Sequence, residues 1–453
     1  MPDSENLAAV GRRLVPEVNA ALRTSASDGM PVRAWPPDWE QTGRIHYFYR
    51  PNSLLARDAD ASRIAQALRE LPPLPGERCA AEGMRAAVDP IDSPTKGVMR
   101  FPVATADDDT AVGPGHLEAR LVEHLETHLG LGVISPEHVF EITKWVHCPA
   151  TEPEPVLTAD EAHHKELVEQ ALWPPLGDSQ AGHGVHISVV DTGLLRGVEG
   201  WAPWLAGVAA HTEADIDDPD ALDVRTGLPG SDGFADPYAG HGSFIAGVIR
   251  CVAPAADVVV ERMLGKSGFV AETDMVTQIQ QGLSRSPDII SVSAGGHTRG
   301  DVPPVALQAL WEHRISQQGG VVIVAAAGNN GSSRPFWPAA FEWCIGVGSM
   351  SRDCQRRSWF SNTGSWVDVY APGEDLVNAY ARRAYKSFAD GQIRDTSAGI
   401  VKWSGTSFAA PVVAALIAAR MSRTGKNART ASADVLRAAR AQFRPDIGPR
   451  LIP

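Results

Sequence analysis

The sequence predicts an α/β protein: a parallel sheet covered by helices on both faces, preceded by a small α+β domain. Three observations predict it. Past residue 184, short runs rich in Val and Ile alternate with helical patterns, and such alternation builds a parallel sheet with helices on its faces. Most of those runs are continuously apolar, as strands buried on both sides read. Before residue 148 the order is instead strand, helix, strand, helix, strand, and the stiff polar run Thr151 to Pro155 (Thr-Glu-Pro-Glu-Pro) follows it. The boundaries drawn are therefore 1–148 for the first domain, 149–157 for a linker and 158–453 for the main domain.

Each element has its own signal. Leu7, Val10, Leu14, Val18 and Leu22 fall at helical spacing. Ile45 to Tyr49 reads as an aromatic-rich strand, better suited to a core than to a binding patch. Ala61 to Leu71 puts Ile64, Ala67, Leu68 and Leu71 on one helical face, and a proline-rich break follows. Gly97 to Val103 is a second strand. His116 to Leu129 is an amphipathic helix, and Val133 to Ile142 is extended. His124 and His128 sit at a spacing that can hold a metal. No carboxylate is arranged with them, so solvated histidines are the plainer reading. Thr158 to Leu172 is helical. The main-domain strands are Val185–Val190, Asp257–Met263, Asp288–Ser293, Val321–Ala327, Cys344–Ser349 and Val367–Tyr370. Helices fall at Ser243–Cys251, Glu272–Leu283, Val305–Gln318 and Ser407–Arg420.

Composition narrows the function classes. The chain has 453 residues, 43% hydrophobic and 21% charged, ordinary for a globular protein. A net charge of −13 argues against nucleic acid or an anionic membrane as partner. The five cysteines (Cys79, Cys148, Cys251, Cys344 and Cys354) are widely spaced, with no Cys-x-x-Cys pair. That is neither a disulfide framework nor a zinc pattern, and free thiols suit a reducing compartment. The first residues lack the basic start and apolar core of a secretory signal, and no run reaches the length of a membrane span. A cytoplasmic protein is the expectation, with leaderless export as the other route.

The chemistry centres on Gly405-Thr406-Ser407-Phe408-Ala409-Ala410-Pro411, where a turn runs into an alanine-rich helix. Ser407 then lies at a helix N-terminus, whose positive end favours developing negative charge. A serine nucleophile needs a base, an acid to orient it and an oxyanion donor. His241 (Gly-His-Gly-Ser), Asp191 (Val-Val-Asp-Thr-Gly) and Asn329 (Ala-Ala-Gly-Asn) supply candidates for each. Taken singly, these residues could equally cap helices or turns. Together and in this order they resemble the subtilases, the subtilisin-like serine peptidases, over about residues 180–425.

The resemblance implies a serine endopeptidase acting on peptide or protein substrates through an acyl-enzyme, with no cofactor needed for the chemistry. It implies two strand edges that flank an extended substrate: one holding Gly265 and Gly268, the other Ser293, Ala294 and Gly295. The alternative for these is two Gly-rich turns. Phe336 falls where the family floors the pocket for the side chain before the scissile bond, and often has a small residue. A shallow pocket and a preference for small or medium side chains are expected. In the family, the position before the peptidase domain often holds a propeptide that aids folding and inhibits the site. Domain 1–148 is thus either a candidate intramolecular inhibitor or a permanent accessory domain. Calcium is a candidate structural ion for the acidic stretch Glu213 to Asp236, although a solvated insertion explains that stretch as well. Tyr380 to Trp403 is longer than is usual in the family and is expected to form a loop near the cleft. A peptide-binding scaffold without turnover is the competing reading; the complete residue set favours the enzyme.

Overall fold

The computed structural model describes residues 32–36, 42, 45–70, 91–102, 117–142, 152–212, 216–217, 234–235, 238–263, 269–387 and 391–452. The helical pattern at residues 7–23 lies outside them. Two compact units are present. The first takes in Met1–Phe140, Val270–Thr277 and His297–Gly319, and the second Glu141–Phe269, Gln278–Gly296 and Gly320–Pro453.

In the first unit a six-stranded sheet is built around Tyr47–Arg57, which pairs antiparallel with Arg33–Trp35, Val98–Pro102 and Ile134–Glu141. The sequence pattern reads this strand as Ile45 to Tyr49 only. The chain passes Pro51 through an irregularity instead: Asn52 takes a φ of 60°, and the pairing shifts register between Tyr49 and Leu54. Tyr47, Phe48 and Tyr49 are buried. Helices Asp58–Glu70 and Leu117–Leu129 close a core of Leu54, Ile64, Phe101, Leu121, Leu125 and Ile134. The fully buried Glu137 accepts hydrogen bonds from Ser53 Oγ at 2.5 Å, Arg100 Nη2 at 3.0 Å and Thr273 Oγ1. A buried charge persists only with such partners. The rings of His124 and His128 lie 4.7 Å apart, and His128 Nδ1 is 2.9 Å from Thr127 Oγ1.

The second unit is organised by a seven-stranded sheet in the order Val369–Pro372, Cys344–Met350, Val322–Ala326, Ile289–Val292, His186–Asp191, Asp257–Arg262 and Ala209–Ala210. Every neighbouring pair is parallel. Ile289–Val292 and Val322–Ala326 are buried at every residue, which is why their sequence does not alternate. On one face Ile187 and Val189 join the core of helices His241–Val252 and Thr406–Thr424. On the other, Ser188 and Val190 meet the helix residue Gly282, where a Cβ would stand 2.8 Å from Ser188 Oγ. The chain end shields one sheet edge: Tyr370 N donates to Pro449 O and Leu451 N to Tyr370 O.

Several local readings shift. The helix read from Ser243 begins at His241, and the one read from Ser407 begins at Thr406. The pattern at Val305–Gln318 is a helix to His313, then a 3-10 turn. In the long stretch before Gly405, Tyr385–Lys386 pairs with Ile393–Arg394, and Ile400–Trp403 pairs with Leu376–Ala379, which precedes the stretch. Glu154–Pro155, read as linker, adds a short strand to Ile400–Trp403. No helix among the described residues is long and apolar enough to cross a membrane.

Candidate active site

The C-terminal rim of the large sheet gathers the predicted residues, as expected for open α/β sheets. Asp191 ends its strand, Ser293 directly follows Ile289–Val292, and Asn329 lies just past Val322–Ala326. His241 opens its helix and Ser407 is the second residue of its own, so both lie at positive helix ends. All four candidates are buried: Asp191 is 0% exposed, His241 1%, Ser407 3% and Asn329 3%. Small openings like these suit groups that must meet a substrate yet stay out of bulk water.

His241 Nδ1 lies 2.7 Å from Asp191 Oδ1. The carboxylate accepts, so Nδ1 carries the proton and Nε2 of the neutral ring is left basic. Thr192 N also donates to Asp191 Oδ1, at 2.8 Å. Two hydroxyls dock the helix onto the Asp191 turn. Gly242 N donates to Thr192 Oγ1 at 3.0 Å, and Leu195 N donates to Ser243 Oγ at 2.7 Å. Gly242 is required here, because a Cβ would stand 2.6 Å from Gly193 O. Trp403 meets the imidazole edge-on at 5.1 Å and Phe408 lies at 5.2 Å, which confines the ring.

The Ser407 helix contains Pro411, which has no N–H to give the carbonyl of Ser407 four residues before it. Ser293 Oγ fills that role, donating to Ser407 O at 2.9 Å, while Ser407 Oγ donates to Ser293 O at 3.3 Å. Ser293 thereby ties the nucleophile candidate to the neighbouring strand end. Asn329 is held just as firmly. Its Oδ1 accepts from Thr406 N and Thr406 Oγ1, both at 2.8 Å, and the same hydroxyl accepts from Gly328 N at 3.1 Å. With Oδ1 fixed on Thr406, the amide nitrogen is turned toward Gly405, 3.5 Å from where a Cβ on that glycine would stand.

Ser293, Ala294 and Gly295 form one wall beside this centre. Gly296 and Trp337 exchange two backbone hydrogen bonds of 2.9 Å. Gly295 pairs on its other side with Glu141, donating to Glu141 O at 3.1 Å and accepting from Glu141 N at 2.9 Å. Phe336, 2% exposed, stands between Gly295 and Gly328: a Cβ on Gly295 would meet its ring at 2.5 Å, and one on Gly328 at 2.9 Å. Gly265 and Gly268 lie outside the described residues, as do most of the acidic positions between Glu213 and Asp236. Among the described residues, no group of three or more His, Cys, Asp or Glu could hold a metal ion. Sequence reasoning missed Thr192 and Trp403, whose partners Gly242 and His241 are far along the chain. The roles of Ser243 and Thr406 had one signal, a hydroxyl beside each reactive candidate.

A family model described as the subtilase family matches residues 182–444. The intracellular serine protease of Paenibacillus polymyxa is 29% identical over 265 residues, 55% of this chain and 71% of that protein. Thermitase of Thermoactinomyces vulgaris is 30% identical over 270 residues, 57% of this chain and 83% of that protein. Fervidolysin of Fervidobacterium pennivorans, a solved structure, shares the fold over 89% of this chain at 18% identity and a TM-score of 0.52; the match spans 60% of fervidolysin.

Proposed function

This chain belongs to the subtilase family and is a subtilisin-like serine protease; from that premise we propose that Asp191, His241 and Ser407 are its catalytic triad and Asn329 its oxyanion donor. The buried 2.7 Å bond between His241 Nδ1 and Asp191 Oδ1 carries the reading, because it leaves Nε2 as the base. As Ser407 Oγ attacks the scissile carbonyl carbon, His241 Nε2 takes its proton. The carbonyl oxygen becomes an anion, stabilised by the Asn329 amide and the N–H of Ser407. The C–N bond then breaks, and the imidazolium gives its proton to the leaving amine. Water repeats the sequence on the acyl-enzyme, with His241 as base, and releases the acid. Asp191 holds the tautomer and steadies the imidazolium. The test is covalent labelling by an organofluorophosphate. Wild type is expected to gain one adduct and Ser407→Ala none; equal labelling of both would reject Ser407 as the nucleophile.

Substrate binds as an extended strand along Ser293–Gly295, with Phe336 flooring a shallow pocket for the side chain before the scissile bond. Glu141 occupies the backbone donor and acceptor of Gly295 that such a strand would use. We propose further that the N-terminal region regulates the enzyme and is removed when the chain is cut between it and the catalytic domain. Intact mass over time distinguishes the cases. Loss of the N-terminal region in wild type but not in Ser407→Ala is the expected result. A full-length, fully labelling wild type would make the region a permanent part of the enzyme. Cys251, Cys344 and Cys354 are buried free thiols, which supports action in a reducing compartment. Cell fractionation checks that placement.

A further inference from the structure

We propose that Asn362 is a positioning residue for the oxyanion donor, holding the loop that carries Asn329 from the side opposite Thr406. The inference rests on Asn329 being that donor. Asn362 is 0% exposed, and both ends of its side-chain amide bind one loop. Its Oδ1 accepts from Asn330 N at 3.0 Å and from Ser332 N at 2.9 Å, and its Nδ2 donates to Ala327 O at 2.8 Å. One amide thus grips the backbone on both sides of Asn329.

Main-chain bonds add to the grip. Asn362 N donates to Gly328 O at 2.9 Å, Gly331 N to Phe360 O at 2.7 Å, and Thr363 N to Ser332 O at 2.9 Å. The fit is close, since a Cβ on Gly328 would stand 2.5 Å from Asn362 Nδ2. Thr406 fixes the Asn329 side chain, whereas Asn362 fixes the backbone from which that side chain projects. A turn of small residues cannot hold this shape alone: Gly328 has a φ of +92° and Gly331 one of +61°. An oxyanion donor acts only if its position is set before charge develops, so slack in this loop subtracts from transition-state stabilisation rather than from substrate binding.

The prediction is a loss in kcat that passes through Asn329. The full chain is assayed on a peptide anilide ending in Ala, with rates normalised by active-site titration. The variants are Asn362→Ala, Asn362→Asp, Asn329→Ala and the two doubles. Asn362→Ala is expected to lower kcat about tenfold to a hundredfold, less than loss of the donor itself, with KM changed less than about twofold. Asn362→Asp keeps the acceptor used by Asn330 and Ser332 and should lose less; it carries the same comparison if the Ala variant does not fold. In the Asn329→Ala background either substitution should lower kcat by less than about twofold, because the group being positioned is gone. A full, repeated loss in that background would make Asn362 a residue of the fold only and overturn the proposal. So would an unchanged kcat per active site in both single variants. Wild-type kcat in Asn329→Ala would instead overturn the reading of Asn329, and this proposal with it.

Discussion

Replacing Phe336 by Ala should convert a shallow specificity pocket into one that takes an aromatic side chain. The ring is buried between Gly295 and Gly328, 2.5 Å and 2.9 Å from where side chains on those glycines would begin. A substrate phenyl group entering between the same two walls would have to share this space. With the ring cut back to Cβ, the space passes to the substrate. Burying a Phe side chain stabilises by about 1.5–3 kcal/mol. At about 1.4 kcal/mol per tenfold, that is roughly a tenfold to 150-fold gain in kcat/KM for Phe relative to Ala. The assay compares two peptide anilides that differ only in Ala or Phe before the cleaved bond, for both enzymes. The ratio of the two kcat/KM values cancels errors in active-enzyme concentration. The substitution removes buried apolar volume as well, and a stability loss of about 3–5 kcal/mol is expected; the rates are therefore measured well below the melting transition. A wild type that cleaves after Phe as readily as after Ala would refute the reasoning. So would a ratio that Phe336→Ala leaves unmoved.

Two further outcomes follow from the same physics. Ser293→Ala leaves the Ser407 carbonyl without its 2.9 Å donor in a helix where Pro411 cannot supply one; a loss of about 1–3 kcal/mol is expected in urea unfolding, and a variant as stable as wild type would show that another group satisfies that carbonyl. Hydrogen bonds from Lys426 and Arg420 hold the Asp434 carboxyl well below the usual carboxylate range. The folded state therefore binds that proton less tightly than the unfolded chain, whose Asp titrates near about 3.9. Its contribution is present above that pH and lost as pH falls below it, so the urea midpoints of wild type and Asp434→Asn should converge on acidification. A gap that widens would contradict the assigned direction.

The inner strands of the large sheet were legible because burial leaves a mark in consecutive residues, as in Ile289–Val292 and Val322–Ala326, whereas the partly exposed edge strand Ala209–Ala210 was not read. The reactive candidates were legible for a related reason: each lies at the end of such a strand or the start of a helix, where small residues must surround it. Gly242 is one, since its neighbour across the turn is the backbone of Gly193. The first unit was harder to read. Tyr47–Arg57 is a single strand that passes a proline, and only pairing with its neighbours sustains it. The three short partners of the Tyr380 to Trp403 region carry too few residues for any periodicity to show.

By itself, then, the sequence determined the order of six strands of the large sheet and of the helices between them, and which residues could act as acid, base, nucleophile and oxyanion donor. These properties depend on side-chain type and on local periodicity. Only the tertiary structure decided that Asp191 meets the Nδ1 side of His241, that Ser293 serves the carbonyl orphaned by Pro411, and that Asn362 clasps the turn around Asn329. Those partners lie from 30 to 114 residues apart in the chain. Directional hydrogen bonds between such distant groups leave no periodic trace; they exist only once the sheet has set the spacing of its strand ends.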